Sequence, residues 1–187
     1  KISEDERELV TMRKVNIAIL GLGTVGSGVY KVIEAEHEAI MHKEGLDLAV
    51  KKVLALQYSI PIPEELKASD IEEVVSDPEI DVVVEVMGGI EPAKTFITKA
   101  LSHSKTVVTA NKELLARHWP DLEKVAKENG AGLYFEASVG GGIPILRTVW
   151  DSLQANTIKS IFGIINGTTN YILTKMTDEG RDFDEVL

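Results

Sequence analysis

Apolar runs and amphipathic stretches alternate along most of the chain, and this alternation predicts an α/β fold. Residues 15–20 form a mostly apolar run rich in β-branched side chains, as expected of a strand buried on both faces of a parallel sheet. The next stretch, over about 24–43, spaces its apolar residues along one face of a helix. Strand and helix patterns then repeat, which favours a parallel sheet covered by helices.

The same patterns predict further strands and helices. The further strands are expected over 48–56, 80–86, 105–109 and 133–137. A capping-box pattern at 69–72 opens a short helix, and longer helices are expected over about 92–103 and from Pro120 to Gly130. Prolines at positions 61 and 63 place a loop after the second strand.

A cluster of glycines at 138–144 marks the predicted boundary between two domains. A helical pattern follows to about Leu153, then a strand over 157–165 with one face open to water, and a last helical segment to Met176. We expect one domain over 15–139 and the beginning of a second, α+β domain over 140–187. Residues 1–14 are expected to be an N-terminal extension or the remnant of an expression tag, without an assigned function.

Glycines directly behind the first strand give the first indication of chemistry. Gly21, Gly23 and Gly26 have the G-x-G-x-x-G spacing, and a predicted helix begins there. In this motif the first glycine allows a tight turn, the second lets the backbone approach a pyrophosphate, and the third lets helix and strand pack closely. The helix N-terminus adds N–H groups and a partial positive charge. This context predicts a dinucleotide-binding unit in a Rossmann-type, doubly wound parallel sheet, with a plain glycine-rich turn as the alternative.

Ligands of open parallel sheets bind outside the carboxyl ends of the strands, which selects particular segments. The selected segments are residues 20–26, 87–89, 109–112 and 136–142. Lys112 directly follows a strand, where its ammonium group could bind a phosphate, polarise a carbonyl or exchange a proton. The alternative is an ordinary surface lysine at a helix start, although a cation is unfavourable there.

Other ionisable residues give weaker indications. Glu85 and Glu136 each lie near the end of a predicted strand, where a carboxylate could bind a cation or orient a loop. A solvated or hydrogen-bonded carboxylate is the commoner outcome. The histidines lack metal-ligand spacing and are expected to be structural or exposed; they are His37, His42, His103 and His118.

The residues at the end of the second strand do not predict whether NAD or NADP is the preferred cofactor. An acidic residue there favours NAD, and a basic residue accommodates the extra phosphate of NADP. Residues 55–59 contain neither, and Asp47 lies at the opposite end of the strand.

Composition excludes several classes of function. The 187 residues carry a net charge of -10, which does not favour nucleic acid or an anionic membrane surface as partners. The absence of cysteine excludes disulfides, thiolate zinc sites and a cysteine nucleophile. No run of about 18 apolar residues and no signal-peptide pattern occurs, so we expect a soluble, cytoplasmic protein.

Taken together, the motifs resemble those of homoserine dehydrogenases, from about Val15 to Met176. The resemblance is carried by the segments at 21–26, 87–89, 109–112, 136–144 and 163–170. It implies NAD(P)-dependent interconversion of L-homoserine and L-aspartate 4-semialdehyde, a step toward threonine and methionine. The alternatives are another oxidoreductase with a Rossmann domain and a non-catalytic nucleotide-sensing module.

The resemblance also implies roles for individual residues. Lys112 matches a catalytic lysine placed between cofactor and substrate. The cofactor-binding positions are Gly21, Leu22, Gly23, Thr24, Val25, Gly26, Met87, Gly88, Gly89, Asn111, Lys112 and Gly140. The positions that match a site for a monovalent cation such as sodium are Glu136, Val139, Gly141 and Ile143. The positions that match the substrate pocket are Gly167, Thr168 and Asn170.

Two departures from the family pattern shape the expectations. The family usually ends its second strand with an arginine and aspartate pair, whereas this chain has Ala55, Leu56 and Gln57. The family's glycine-rich acidic segment, leading to a catalytic aspartate and lysine, is expected beyond residue 187. We therefore expect the N-terminal part of such an enzyme, nearly inactive by itself. The resemblance also implies a homodimer formed through the second domain.

Overall fold

The computed structural model describes residues 12–164 and 166–187, and the chain divides into two compact units between Ile143 and Pro144. Most of the predicted extension at 1–14 lies outside the described residues, and the first strand begins at Arg13.

A parallel sheet forms the centre of the first unit. Its strands are β1 (Arg13–Leu22), β2 (Leu46–Tyr58), β3 (Lys67–Ala68), β4 (Val82–Glu85), β5 (Thr106–Thr109) and β6 (Leu133–Tyr134). They lie in the order β3-β2-β1-β4-β5-β6, and every neighbouring pair is parallel. The order reverses between β1 and β4, which is where Rossmann folds bind their ligands. The predicted α/β fold with a Rossmann-type sheet is confirmed.

Helices connect the strands of the first unit. They are α1 (Thr24–Ala35), α2 (His37–Glu44), α3 (Glu72–Val75), α4 (Ala93–Ser102) and α5 (Lys112–Glu128). Short 3-10 turns occur at Glu64–Leu66 and Glu136–Ser138.

Apolar clusters on both faces of the sheet explain the continuous apolar run in β1. Ile17 and Ile19 belong to one cluster, together with Ile33 of α1. Ala18 and Leu20 belong to the other cluster, with side chains from α3, α4 and α5. Successive residues of a strand point to opposite faces, so a strand covered on both sides is apolar throughout.

The first helix is divided, contrary to the expected single helix over 24–43. The backbone at Glu36 leaves helical geometry at φ −103° and ψ 13°, and α2 begins at the next residue. His37 Nε2 then lies 2.8 Å from Asp47 Oδ1 at the start of β2. This contact with β2 depends on the tertiary structure, so helical periodicity alone does not reveal it.

Other boundaries also differ from the sequence pattern. The helix expected to start at Pro120 begins at Lys112 and kinks at His118, because proline lacks an N–H and its ring crowds the preceding turn. The strand expected over 133–137 ends at Tyr134 and passes into a 3-10 turn. The capping-box pattern predicts Ser69 as the cap of α3, but the next residue takes this role, since Asp70 Oδ1 accepts the N–H of Glu73 at 3.0 Å.

The second unit, residues 144–187, is helical where it is regular. It contains α6 (Ile145–Arg147), a π-helical turn (Thr148–Ser152), α7 (Gly167–Glu179) and α8 (Phe183–Val186). The strand expected over 157–165 is wrong for residues 157–164, which have no regular structure, and Ile165 lies outside the described residues. A strand needs pairing partners, and the described residues of this unit form no other strand.

Candidate active site

The glycine turn, residues 21–26, links β1 to α1. Gly21 has a φ of +97°, a left-handed conformation that favours glycine. A Cβ at Gly21 would lie 3.0 Å from Met87 Cγ and 3.1 Å from the Met87 backbone N and Cα. The first glycine therefore allows both the turn itself and the close approach of the segment that follows β4.

The second and third glycines of the turn have opposite surroundings. A Cβ at Gly26 would lie 2.0 Å from the Gly21 carbonyl oxygen, so only glycine fits between α1 and the turn. A Cβ at Gly23 would have no atom within 4 Å, and the residue is exposed. The turn is thus tightly packed on its inner side and open at Gly23, the position where a ligand could approach the backbone.

The N-terminus of α1 has the features of an anion-binding site. No side chain caps the first N–H groups of this 12-residue helix, and its first turn contains no acidic residue. The helix dipole adds partial positive charge at this end, which favours phosphate groups.

Ser59 joins the end of β2 to the glycine turn, a role that the sequence did not reveal. Its backbone N–H donates to the Leu22 carbonyl at 3.3 Å, and its hydroxyl donates to the same oxygen. The hydroxyls of Ser27 and Ser59 are 2.6 Å apart, and that of Ser27 donates to the Gly23 carbonyl at 2.7 Å. The sequence places Ser59 next to the strand end, but no sequence pattern indicates its hydrogen bonds to the glycine turn.

Glu85 holds the loop that follows β4. Its side chain is fully buried, at 0% exposure, and it is the last residue of the strand. Oε1 accepts hydrogen bonds from the N–H groups of Met87 at 2.8 Å and Gly88 at 3.4 Å. Gly88 and Gly89 both have positive φ, 76° and 71°, so the 87–89 loop folds back over the strand end. The carboxylate is thus hydrogen-bonded, and its bonds orient the loop.

Thr109 and Asn111 extend this arrangement to the end of β5. The Thr109 hydroxyl donates to Glu85 Oε2 at 2.6 Å, and its oxygen accepts the N–H of Asn111 at 3.0 Å. Asn111 Nδ2 donates to the Gly89 carbonyl at 2.6 Å, while its Oδ1 accepts the N–H of Leu114 at 3.2 Å and caps α5. The ends of β4 and β5 and the start of α5 are therefore joined by hydrogen bonds.

Lys112 is the first residue of α5, immediately after Asn111. It is exposed, and within the part of the chain that the structure describes it forms no ion pair. A cation at a helix N-terminus is unfavourable by itself. The structure thus places an uncompensated ammonium group directly beside the hydrogen-bonded strand ends.

The remaining predicted cofactor and cation positions lie in the loop after β6. Gly140 and Gly141 have φ values of 74° and 59°, and the N–H of Ile143 donates to the Gly140 carbonyl at 3.1 Å. The N–H of Val139 donates to the Glu136 carbonyl at 3.1 Å. Over residues 12–164 and 166–187, no group of three or more metal-binding side chains occurs. A cation here would depend on backbone carbonyls.

The predicted substrate positions belong to the second unit. Gly167, Thr168 and Asn170 lie in the first turn of α7 and are exposed. Asn166 caps this helix by accepting the N–H of Thr169 at 2.8 Å. The structure brings these residues together with one another.

Near the end of β2 lies the side chain of a lysine, Lys67, which the sequence pattern of residues 55–59 does not reveal. Lys67 Nζ lies 5.1 Å from the ring centroid of Tyr58, the last residue of β2, and pairs with Glu64. Asp47 lies at the other end of the strand, where it contacts His37. Among the described residues, no helix is both long and apolar enough to cross a membrane.

Models of two protein families match most of the chain. The model for the NAD-binding domain of homoserine dehydrogenase matches residues 21–136, and the homoserine dehydrogenase model matches residues 144–187. The chain belongs to the homoserine dehydrogenase family. This membership agrees with the resemblance seen in the sequence motifs.

Individual homoserine dehydrogenases are similar over nearly the whole chain. The protein of Bacillus subtilis (strain 168) is 46% identical over 180 residues, which are 94% of this chain and 42% of that protein. The crystal structure of a homoserine dehydrogenase from Thiobacillus denitrificans has a TM-score of 0.86 at 39% identity, covering 94% of this chain and 42% of that one. A hyperthermophilic archaeal homoserine dehydrogenase in complex with NADPH has a TM-score of 0.77 at 29% identity, covering 92% of this chain and 59% of that one. The chain thus spans 42% of the first two relatives.

Proposed function

We propose that this chain supplies the NAD(P) site and part of the active site of a homoserine dehydrogenase. The reaction is the interconversion of L-homoserine and L-aspartate 4-semialdehyde, in threonine and methionine biosynthesis. The observation that carries the proposal is the continuous arrangement at the switch point of the sheet. Met87 packs on the glycine turn, and hydrogen bonds join the 87–89 loop to Asn111, the neighbour of Lys112.

The glycine turn and the start of α1 are proposed to bind the pyrophosphate of the cofactor. Open space at Gly23 admits a phosphate, and the N-terminus of α1 offers N–H groups and partial positive charge. The positions assigned to this role are Gly21, Leu22, Gly23, Thr24, Val25 and Gly26. Bound NAD(P) supplies the hydride donor or acceptor at nicotinamide C4.

The ends of β4 and β5 are proposed to hold the nicotinamide half of the cofactor and the reacting oxygen. Met87, Gly88 and Gly89 line this side, and Asn111 fixes their position through the Gly89 carbonyl. The Lys112 ammonium group is suited to bind the substrate oxygen, where it stabilises developing negative charge.

The loop after β6 is proposed to serve both cofactor and cation. Gly140 contacts the cofactor, while Glu136, Val139, Gly141 and Ile143 hold a monovalent cation such as sodium. These positions offer oxygen donors, mostly backbone carbonyls, which suit a hard cation. Tighter NADPH binding in sodium chloride than in choline chloride at equal ionic strength is expected, and equal binding would argue against the site.

The second unit is proposed to contribute to the substrate pocket and to a homodimer. Gly167, Thr168 and Asn170 line the pocket. Large apolar side chains are exposed in the preceding segment, which supports contact with a second copy of the chain; they are Ile158, Ile161, Phe162 and Ile164. Sedimentation velocity is expected to show a dimer, and a monomer at all concentrations would contradict this assignment.

Binding and turnover measured together test the proposal. Fluorescence titration of the 187-residue chain with NADPH and NADH is expected to show saturable binding. Homoserine-dependent reduction of NADP+ by this chain alone is expected to be near background, because its residues do not include the family's catalytic aspartate and lysine motif. Failure to bind either dinucleotide would contradict the cofactor site. Turnover within the usual enzymatic range of about 1–10³ s⁻¹ would contradict the partial active site.

A further inference from the structure

Glu85 is a buried carboxylate to which the reaction assigns no role. It ends a strand whose other residues are valines, and its side chain has 0% exposure. Within residues 12–164 and 166–187 it forms no ion pair. Burying a carboxylate is unfavourable unless hydrogen bonds compensate for the lost water. Its surroundings must therefore supply that compensation.

Among the described residues, the compensation comes from groups that follow β4 or end β5, in the proposed cofactor site. The carboxylate accepts hydrogen bonds from the N–H groups of Met87 and Gly88 and from the hydroxyl of Thr109. The two N–H groups belong to the 87–89 loop, and Thr109 ends the neighbouring strand β5. One buried side chain thus ties the loop after β4 to the end of β5.

The same contacts continue to the residue before Lys112. Thr109 accepts the N–H of Asn111, and the Asn111 side chain donates to the Gly89 carbonyl. The hydrogen bonds run from Glu85 through Thr109 and Asn111 back to the 87–89 loop. Because Asn111 also caps α5, this closed set of contacts fixes the start of the helix that carries Lys112.

The position of this set in the sheet assigns it to one half of a dinucleotide. In Rossmann folds the adenosine ribose lies at the end of β2. Here β4 and β5 lie on the other side of β1 from β2. A dinucleotide whose pyrophosphate lies on the glycine turn would therefore extend its nicotinamide half toward the 87–89 loop.

We propose that Glu85 is a positioning residue, whose buried carboxylate holds the 87–89 loop and the start of α5 in the arrangement that receives the nicotinamide half of the cofactor. This inference rests on the proposed NAD(P) site. Glu85 acts through the backbone of the loop and through Thr109, not by contact with the reacting atoms.

Substitutions at Thr109 and Glu85 separate this role from general stability. Thr109→Val keeps the side-chain shape but removes the hydroxyl, so Glu85 loses a donor and the N–H of Asn111 loses its acceptor. Thr109→Ser keeps the hydroxyl and serves as the matched control. Glu85→Gln keeps the shape of the side chain but replaces one of its acceptor oxygens with a donor.

The experiment compares NADH with ADP, which lacks both the nicotinamide and its ribose, in titrations of the full 187-residue chain. We expect Thr109→Val and Glu85→Gln to weaken NADH binding about five- to ten-fold, the order expected for a lost buried hydrogen bond. ADP binding should change less than about two-fold, and Thr109→Ser should bind both ligands like the unmodified chain. Circular dichroism establishes that each variant is folded, and if Glu85→Gln does not fold, the Thr109 pair decides the result.

The outcomes distinguish the inference from the function on which it rests. Equal weakening for NADH and ADP would overturn the inference, because it indicates a general structural role. Unchanged NADH binding in Thr109→Val, or an equal loss in Thr109→Ser, would overturn it as well. An unmodified chain that binds neither ligand would contradict the proposed cofactor site, and the inference would fall with it.

Discussion

At the scale of single residues, the three glycines of the turn differ in what their geometry requires. Gly21 needs its positive φ and the close approach of Met87, and Gly26 needs space against the Gly21 carbonyl. Gly23 needs neither, since nothing lies within 4 Å of an added Cβ. Packing therefore accounts for two of these glycines but not for the third, which the proposed dinucleotide site explains.

Gly26→Ala is expected to destabilise the chain, because the new Cβ would lie 2.0 Å from the Gly21 carbonyl oxygen. Overpacking of this kind costs about 1–3 kcal/mol. Gly28→Ala is the matched control on the same helix, where a Cβ meets no atom within 4 Å and alanine should stabilise by about 0.5–1 kcal/mol. Urea unfolding measures both variants, and equal stability of the two would refute this packing argument.

Lys67 gives a second residue-scale prediction, about the choice of cofactor. It is the lysine beside Tyr58 at the end of β2, where the extra phosphate of NADP binds in this fold. Lys67→Gln should weaken NADPH binding about two- to five-fold while NADH binding is kept, as for one partly exposed charge pair. Lys124→Gln, on the exposed surface of α5, is the control. If NADPH and NADH are weakened alike, Lys67 does not recognise the phosphate.

At the scale of elements, the sequence predicted most strands of the first unit because their central residues are largely apolar and β-branched. β1, β2, β4 and β5 all lie within or around the predicted apolar runs. The break at Glu36 and the absence of a strand over 157–164 were not predictable, because they depend on contacts distant in sequence. The candidate site was likewise predictable only in part. Sequence motifs indicated the glycine turn and Lys112, whereas the contacts of Glu85 and Ser59 join strand ends that are distant in sequence and are seen only in the structure.

The segment before β4 gives a prediction about pH. Hydrogen bonding from the Glu79 backbone, and then pairing with Lys51 of β2, lowers the pKa of Asp77 below its ordinary value of 3.8. A lowered folded-state pKa stabilises the fold above the unfolded value, and this stability is lost as the pH falls through the folded value. Asp77→Asn should therefore lower the melting temperature at pH 7 and reduce the loss of stability below about pH 4.

Melting temperatures measured from pH 2 to pH 7 check this expectation. Asp121→Asn is the control, because that side chain is 68% exposed and its contacts with Lys94, at 3.7 Å, and His118, at 3.6 Å, are long. Parallel pH profiles for Asp77→Asn and the unmodified chain would show that the Asp77 contacts do not contribute.

At the scale of the whole molecule, the two units carry different parts of the proposed reaction. The first unit contains the proposed cofactor site at the strand ends of a Rossmann-type sheet, and the second contains the proposed substrate residues Gly167, Thr168 and Asn170. The sequence predicted the family because its motifs fall at the strand ends, where ligands bind, and the family matches at 21–136 and 144–187 confirm it. What the motifs could not supply is the hydrogen bonding that joins one strand end to the next.

The central claim is that the open side of the glycine turn binds a dinucleotide, and titration of Gly23→Val with NADPH tests it most directly. Gly23 has a negative φ of −75°, and a Cβ added there meets no atom within 4 Å, so the variant should fold, as a melting curve of each chain verifies. We predict saturable NADPH binding by the unmodified chain and a loss of about ten-fold or more in Gly23→Val, because the valine fills the space that the phosphates need. A folded Gly23→Val that binds NADPH as tightly as the unmodified chain would contradict the account.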